Sequence, residues 1–244
     1  MNKTVFITGA TRGLGAHLAR QFASRGYKLA LTGRKPDELE ALRLELQPVC
    51  PEICVKVLDV VNFDAIEVTM RECARELGGI DIVIVNAGVA YMARIGQGGF
   101  EDMRKTIDIN LTGAIATCES AVALFREQGR GQIVGISSVS AVRGMRNQGA
   151  YSATKAGFSK YLESMHCETA DEPIVVTELA PGYIDTDINQ SLASRPFLVS
   201  AEKGTKIMAD LIERQVRFRY VPPWPWSLVA QFLKILPIGL LKKM

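Results

Sequence analysis

Short apolar runs alternate along this chain with longer stretches in which apolar residues recur every three or four positions. The short runs lie near Thr4–Thr8, Lys28–Thr32, Ile53–Leu58, Ile82–Asn86, Gln132–Ser137 and Ile174–Ala180. Helical periodicity fills the gaps, for example over Pro36–Leu46 and Phe63–Leu77. Runs that are apolar on both faces, each followed by a helix, predict a parallel sheet covered on both sides. Right-handed crossovers then give an α/β fold, a doubly wound parallel sheet of Rossmann type with helices on both faces. No Gly/Ser or Pro linker interrupts the rhythm and no repeat is visible, so residues 1–244 read as a single domain. Two segments break the rhythm, at about 187–206 and at about 222–244.

The first run leads into Thr8-Gly9-Ala10-Thr11-Arg12-Gly13-Leu14-Gly15, where a helix begins. Glycines there allow a tight turn and a close approach of pyrophosphate to backbone, and the helix N-terminus offers free N–H groups. Gly9, Thr11, Arg12, Gly13, Leu14 and Gly15 are therefore candidate cofactor contacts. The end of the second run is where such folds choose between NAD and NADP. A carboxylate there would suit the ribose 2′-hydroxyl, but this chain has Gly33-Arg34. Arg34, with Arg12 from the glycine loop, suits a 2′-phosphate, so the cofactor is expected to be NADP(H). Asp59 and Val60 close the third run, and Asn86-Ala87-Gly88 close the fourth. Those are the carboxyl ends at which doubly wound sheets bind ligands.

Tyr151 and Lys155 stand four apart on a helical pattern, one turn from each other on the same face. An ammonium near a phenol favours the phenolate, so Tyr151 is expected to exchange a proton near neutral pH. Ser138, thirteen residues before the tyrosine, supplies a hydroxyl for a substrate oxygen.

With these motifs together the sequence resembles a short-chain dehydrogenase/reductase of the short, single-domain kind, from Thr8 to Thr186. The resemblance implies that Ser138, Tyr151 and Lys155 are the catalytic set, with Ser137 the rival serine, and that Tyr151 and Lys155 also bind the cofactor, the lysine at the nicotinamide ribose. It implies that Asn110 in Asn110-Leu111-Thr112-Gly113 completes a proton relay through water. It also implies that Pro181-Gly182-Tyr183-Ile184-Asp185-Thr186 holds the nicotinamide carboxamide, with Thr186 and the backbone of Ile184 as contacts. Val85, where many members carry a second asparagine, is a small departure. Segment 187–206 would be a lid over the substrate, with Leu192, Phe197, Leu198 and Val199 either forming an apolar wall or packing against the body, and Arg143, Met145 and Gln148 within reach.

Composition changes this picture little. The net charge of +3 is spread along the chain, without the basic stripe that nucleic-acid binding needs. Five cysteines lack a disulfide spacing and only His17 and His166 accompany them, so no metal site is expected. A strand already under way at Thr4 leaves no room for a signal peptide, and a cytoplasmic protein is expected. The tail holds both tryptophans, Trp224 and Trp226, ahead of an apolar run to Leu241 and Lys242-Lys243. It is expected to dock on the protein body or on a subunit of a homodimer or homotetramer, with peripheral membrane contact as the second reading. The expected activity is NADPH-dependent reduction of a fairly apolar small-molecule ketone or aldehyde. The alternatives are a membrane-associated reductase of 3-keto lipids and a non-catalytic dinucleotide sensor or scaffold.

Overall fold

The computed structural model describes residues 2–190, 192 and 194–241. Seven strands form one parallel sheet in the order β3-β2-β1-β4-β5-β6-β7. They are β1 (Thr4–Ile7), β2 (Lys28–Gly33), β3 (Ile53–Val57), β4 (Ile82–Val85), β5 (Gly131–Ile136), β6 (Ile174–Pro181) and β7 (Phe218–Val221). The strand order reverses between β1 and β4, where Phe6 pairs with Ala30 on one side and Val83 on the other. Ligands of doubly wound sheets bind in the crevice that opens at such a reversal.

Alternation along each strand divides the core in two. Val5, Ile7, Leu29 and Leu31 point to one face, which α1 (Gly13–Ser24), α2 (Pro36–Leu46) and α7 (Ala201–Glu213) cover. Phe6, Ala30 and Val83 point to the other, under α3 (Phe63–Leu77), α5 (Gly113–Gln128) and α6 (Gly149–Glu168). Between β4 and α5 the chain forms α4 (Phe100–Ile107) and one π turn, Asp108–Thr112.

The structure differs from the sequence reading in three places. Strand β7 was not anticipated: only Val221 of its four residues is fully buried, so the edge strand carries no apolar run. Helix α7 begins at Ala201, inside the segment assigned to the lid, because the Ser200 side chain accepts a hydrogen bond from the Lys203 N–H and caps it. The tail is helical, as α8 (Pro223–Ile235) and α9 (Ile238–Leu241). Lys242 and Lys243 lie outside the described residues.

Candidate active site

A cleft of about 420 Å³ runs along the carboxyl ends of the strands. Every sequence-named site residue lines it except Gly15 and Asn110, which sit behind its wall. Its parts are locked together by close approaches that only glycine permits. Gly9 has φ +66°, and a Cβ there would stand 2.9 Å from the Cα of Ala87. A Cβ on Gly15 would stand 2.1 Å from the Gly9 carbonyl oxygen. Asn86 closes the same knot, its amide nitrogen donating to the carbonyls of Thr8 (2.9 Å) and Gly9 (3.2 Å). The Thr8 hydroxyl accepts from the N–H groups of Asn86 and Ala87.

The glycine loop delivers the chain into α1, whose N-terminus no side chain caps. Its first N–H groups are thus left for an anion. Facing it, the loop after β6 brings Thr186 beside Gly13, and the Thr186 hydroxyl donates to the Ile184 carbonyl at 3.2 Å. An open loop, an uncapped helix and a second loop across the cleft fit a dinucleotide pyrophosphate and its nicotinamide end. At the adenosine end Arg12 and Arg34 line the cleft. Two carboxylates that the sequence reading did not weigh against them stand there too. Asp59 lies 3.9 Å from Arg34, and Glu38 pairs with Lys35. That lysine holds the Glu38 carboxyl below its ordinary range. Three cations against two anions leave this end positive.

The other end holds the hydroxyl groups. Ser138 follows β5, and its oxygen accepts from the Ser140 N–H at 3.1 Å, which leaves the hydroxyl proton free to donate elsewhere. Tyr151 enters from the first turn of α6, with the Lys155 ammonium 5.9 Å from its ring centroid. Lys155 donates to the Ile136 carbonyl at 2.8 Å. Burial pushes the Tyr151 phenol up, the neighbouring Ser138 hydroxyl acts in the opposite sense, and Tyr183 adds to the rise. Burial also lowers Lys155 to about 8. The sequence reading expected the lysine to bring the phenol down; instead burial disfavours charge on both groups, and the ammonium is turned to a carbonyl.

Asn110 has its side chain committed: its Oδ1 accepts from the Val89 N–H and its Nδ2 donates to the Val89 carbonyl, both at 2.8 Å. Its amide therefore fixes the loop after β4. Ser137 is turned away, donating to the Lys155 carbonyl at 3.4 Å.

The substrate end departs further from the sequence reading. Gln148 and Leu192 line the cleft, joined by Tyr91, Met92 and Tyr183. Arg143 does not reach it: the guanidinium donates to the Leu233 and Lys234 carbonyls at the end of α8, at 3.3 and 3.0 Å. Met145 likewise packs on the tail. Val199 pairs with Ile184 and packs on the core, and Leu198 is exposed. The main omission is Trp226. Its indole covers Gly182, where a Cβ would lie 2.0 Å from the ring. It stands edge-on to Tyr183 and Phe197, with ring centroids 5.7 and 5.9 Å apart. Trp226 thus backs the loop after β6 from the tail, 40 residues beyond Thr186.

The comparisons agree with this geometry. Residues 3–196 match the family described as short chain dehydrogenase. An uncharacterized oxidoreductase of Mycobacterium tuberculosis is 40% identical over 242 residues, covering 98% of this chain and 96% of that protein. An uncharacterized oxidoreductase of Myxococcus xanthus is 34% identical, covering 96% of this chain and 93% of that one. Among solved structures, an alcohol dehydrogenase from Thermococcus sibiricus complexed with 5-hydroxy-NADP superposes with a TM-score of 0.81. It shares 27% identity over 91% of this chain and 95% of that one. Sheet order, glycine knot and matched length lead to one statement: the chain belongs to the short-chain dehydrogenase family of oxidoreductases, which bind a nicotinamide dinucleotide.

Proposed function

We propose that this oxidoreductase reduces a fairly apolar ketone or aldehyde to an alcohol with NADPH. The observation that carries this is the polarity of the cleft: guanidiniums of Arg12 and Arg34 at one end, the Ser138 and Tyr151 hydroxyls at the other. Bound NADPH supplies a hydride to the carbonyl carbon. The residues handle the oxygen. Ser138 donates a hydrogen bond to it and holds it beside the phenol. Tyr151 gives up its proton as negative charge develops there. Its raised pKa suits that role, because the phenol stays protonated at neutral pH and arrives loaded. Lys155, charged below about 8, stabilises the phenolate left behind. Asn110 keeps the loop after β4 in place. Leu192, Met92 and Tyr183 give the substrate an apolar wall.

Lys155 sets the pH dependence. Its pKa is depressed, so the ammonium is present below about 8 and lost above it. The reduction rate is expected to fall as pH rises through about 8, below the range of an ordinary phenol near 10. Lys155→Met should be slower throughout and lack this limb. A kcat/KM profile for the native enzyme that stays flat to pH 9.5 or so would remove the lysine from the mechanism.

The cofactor assignment is tested by screening carbonyl compounds with NADPH and NADH, then repeating the best pair on Arg34→Asp. One charge-assisted hydrogen bond is worth about 1.5–3 kcal/mol. The preference should therefore move more than about tenfold toward NADH. An unchanged NADPH/NADH ratio would mean that Arg34 does not read the 2′-phosphate.

A further inference from the structure

Strand order puts the loop after β4 on one side of Ser138 and the loop after β6 on the other, because β5 lies between those two strands. Each loop carries apolar side chains that line the cleft and still face water. On the first loop they are Tyr91 and Met92, 39 and 43% exposed. On the second it is Ile188, 41% exposed, in the turn Asp187–Asn189. Apolar residues scattered singly on a surface need no explanation, but these flank one opening.

The first loop extends that surface outward. Ala93 donates its N–H to the Asn147 carbonyl at 3.0 Å, which ties the loop to the segment entering α6. Gly96 and Gly98, at φ +77° and +84°, turn the chain back. Gly99 then closes on Ala93 so tightly that a Cβ there would stand 2.6 Å from the alanine Cβ. Within this turn Ile95 is 81% exposed, and its Cδ1 lies 3.8 Å from where a Cβ on Gly149 would stand. Gly149 follows Gln148, which lines the cleft, and precedes Tyr151 by two residues. Apolar surface thus continues from the cleft wall at Tyr91 and Met92 to Ile95 outside it.

Charge and volume say what lies on this surface. Asp187 is the only charged side chain that either loop gives to the cleft, and Arg94 and Arg146 do not line it. An anionic tail would therefore find no cation there. The cleft of about 420 Å³ must also take a dinucleotide, whereas one drug-sized ligand alone ordinarily fills about 300–1,000 Å³. A substrate with its carbonyl at Tyr151 keeps the rest of its body at the mouth. We propose that the substrate is an elongated ketone or aldehyde whose uncharged aliphatic tail leaves the cleft between the two loops. The tail lies across Met92, Ile95 and Ile188, and the two isoleucines set the chain length accepted. This assignment rests on the carbonyl reduction proposed above.

The test is a kcat/KM series for NADPH oxidation with butanone, 2-hexanone, 2-octanone and 2-decanone, and with straight-chain aldehydes of the same lengths. Each methylene taken from water onto the apolar surface is worth up to about fourfold. From butanone to 2-decanone the native enzyme should gain about thirtyfold or more. The gain should appear mostly in KM, since the tail binds alike in ground and transition states. Ile95→Ser and Ile188→Ser should each lower the ratio of longest to shortest substrate about threefold, and together about tenfold. Melting temperatures should hold, because both side chains are exposed. A flat or falling series overturns the proposal. So does a rise that both variants leave intact, which would give the tail to the inner wall at Leu192 and Tyr183. Turnover of no compound in either series refutes the carbonyl reading itself, and the proposal with it.

Discussion

Tyr151→Phe is expected to lower turnover by about 10²–10⁴ on the best substrate, the usual loss when a general acid is removed. The ring remains, so the packing of α6 is kept and the Ser138 oxygen still accepts from Ser140. What disappears is the phenol hydroxyl beside Ser138. Cofactor binding, titrated through quenching of protein fluorescence, should change little, because the glycine loop, Asn86 and Thr186 are untouched. The loss should appear in kcat, with KM nearly constant, as it does for a group that acts in the transition state. Turnover within about threefold of the native enzyme would assign the proton to another donor.

The second large effect is expected at Trp226. Truncating a buried tryptophan to alanine costs about 3–5 kcal/mol. In a chain of this size that corresponds to a fall of about 6–20 °C in melting temperature. The lower part of that range is the better expectation, since the buried indole N–H has no acceptor among the described residues and its removal returns some energy. Trp226→Phe keeps an aromatic face against Tyr183 and should be milder. Trp224→Ala, on an exposed side chain, should fall within about 0.5 kcal/mol of the native protein. The two tryptophans are two residues apart, so they form an internal control. With Trp226→Ala the loop at Gly182 also loses its backing, and KM for the cofactor should rise. Equal melting temperatures for the Trp226 and Trp224 variants would deny the tail its structural role.

Which parts of this could be read from the sequence follows from the range of the forces involved. The central strands were legible because they are buried on both faces and largely apolar, as in Ile82–Val85, and the edge strand β3 because its Ile53, Cys54, Val55 and Val57 keep an apolar run although only Cys54 is fully buried. The glycine loop was legible because a positive φ or a missing Cβ is a constraint on one residue at a time. Tyr151 and Lys155 were legible because a helix brings them together over four positions. Strand β7, the other edge, was not legible because Arg219 interrupts its four residues and leaves no apolar run. Arg143 was assigned to the substrate because its partners, the carbonyls ending α8, lie 90 and 91 residues away and are backbone groups that no side-chain pattern reveals. In the tail, apolar residues on both faces of α8 conceal which face is turned inward. The direction of the Tyr151 shift was misread for a related reason: spacing reports that an ammonium is near, but not how much water has been removed from both groups.

The contact of Trp226 with Gly182 has a consequence for the order in which the enzyme is made. Synthesis delivers the glycine loop first and the Ser138 and Tyr151 hydroxyls later, and domains generally begin to fold as they emerge. The pairing of β1, β2 and β3, with the knot between Gly9 and Ala87, needs nothing beyond β4, while the outer face of α1 waits for α7 to cover it. The loop after β6 is different, because the ring that holds it in place is translated after every other residue of the cleft. A ribosome paused between Thr186 and Trp226 therefore carries a chain with Ser138, Tyr151 and Lys155 already made and no ring behind the loop after β6. Such a nascent chain can form the strand pairings and the glycine knot well before the cleft of the oxidoreductase is complete.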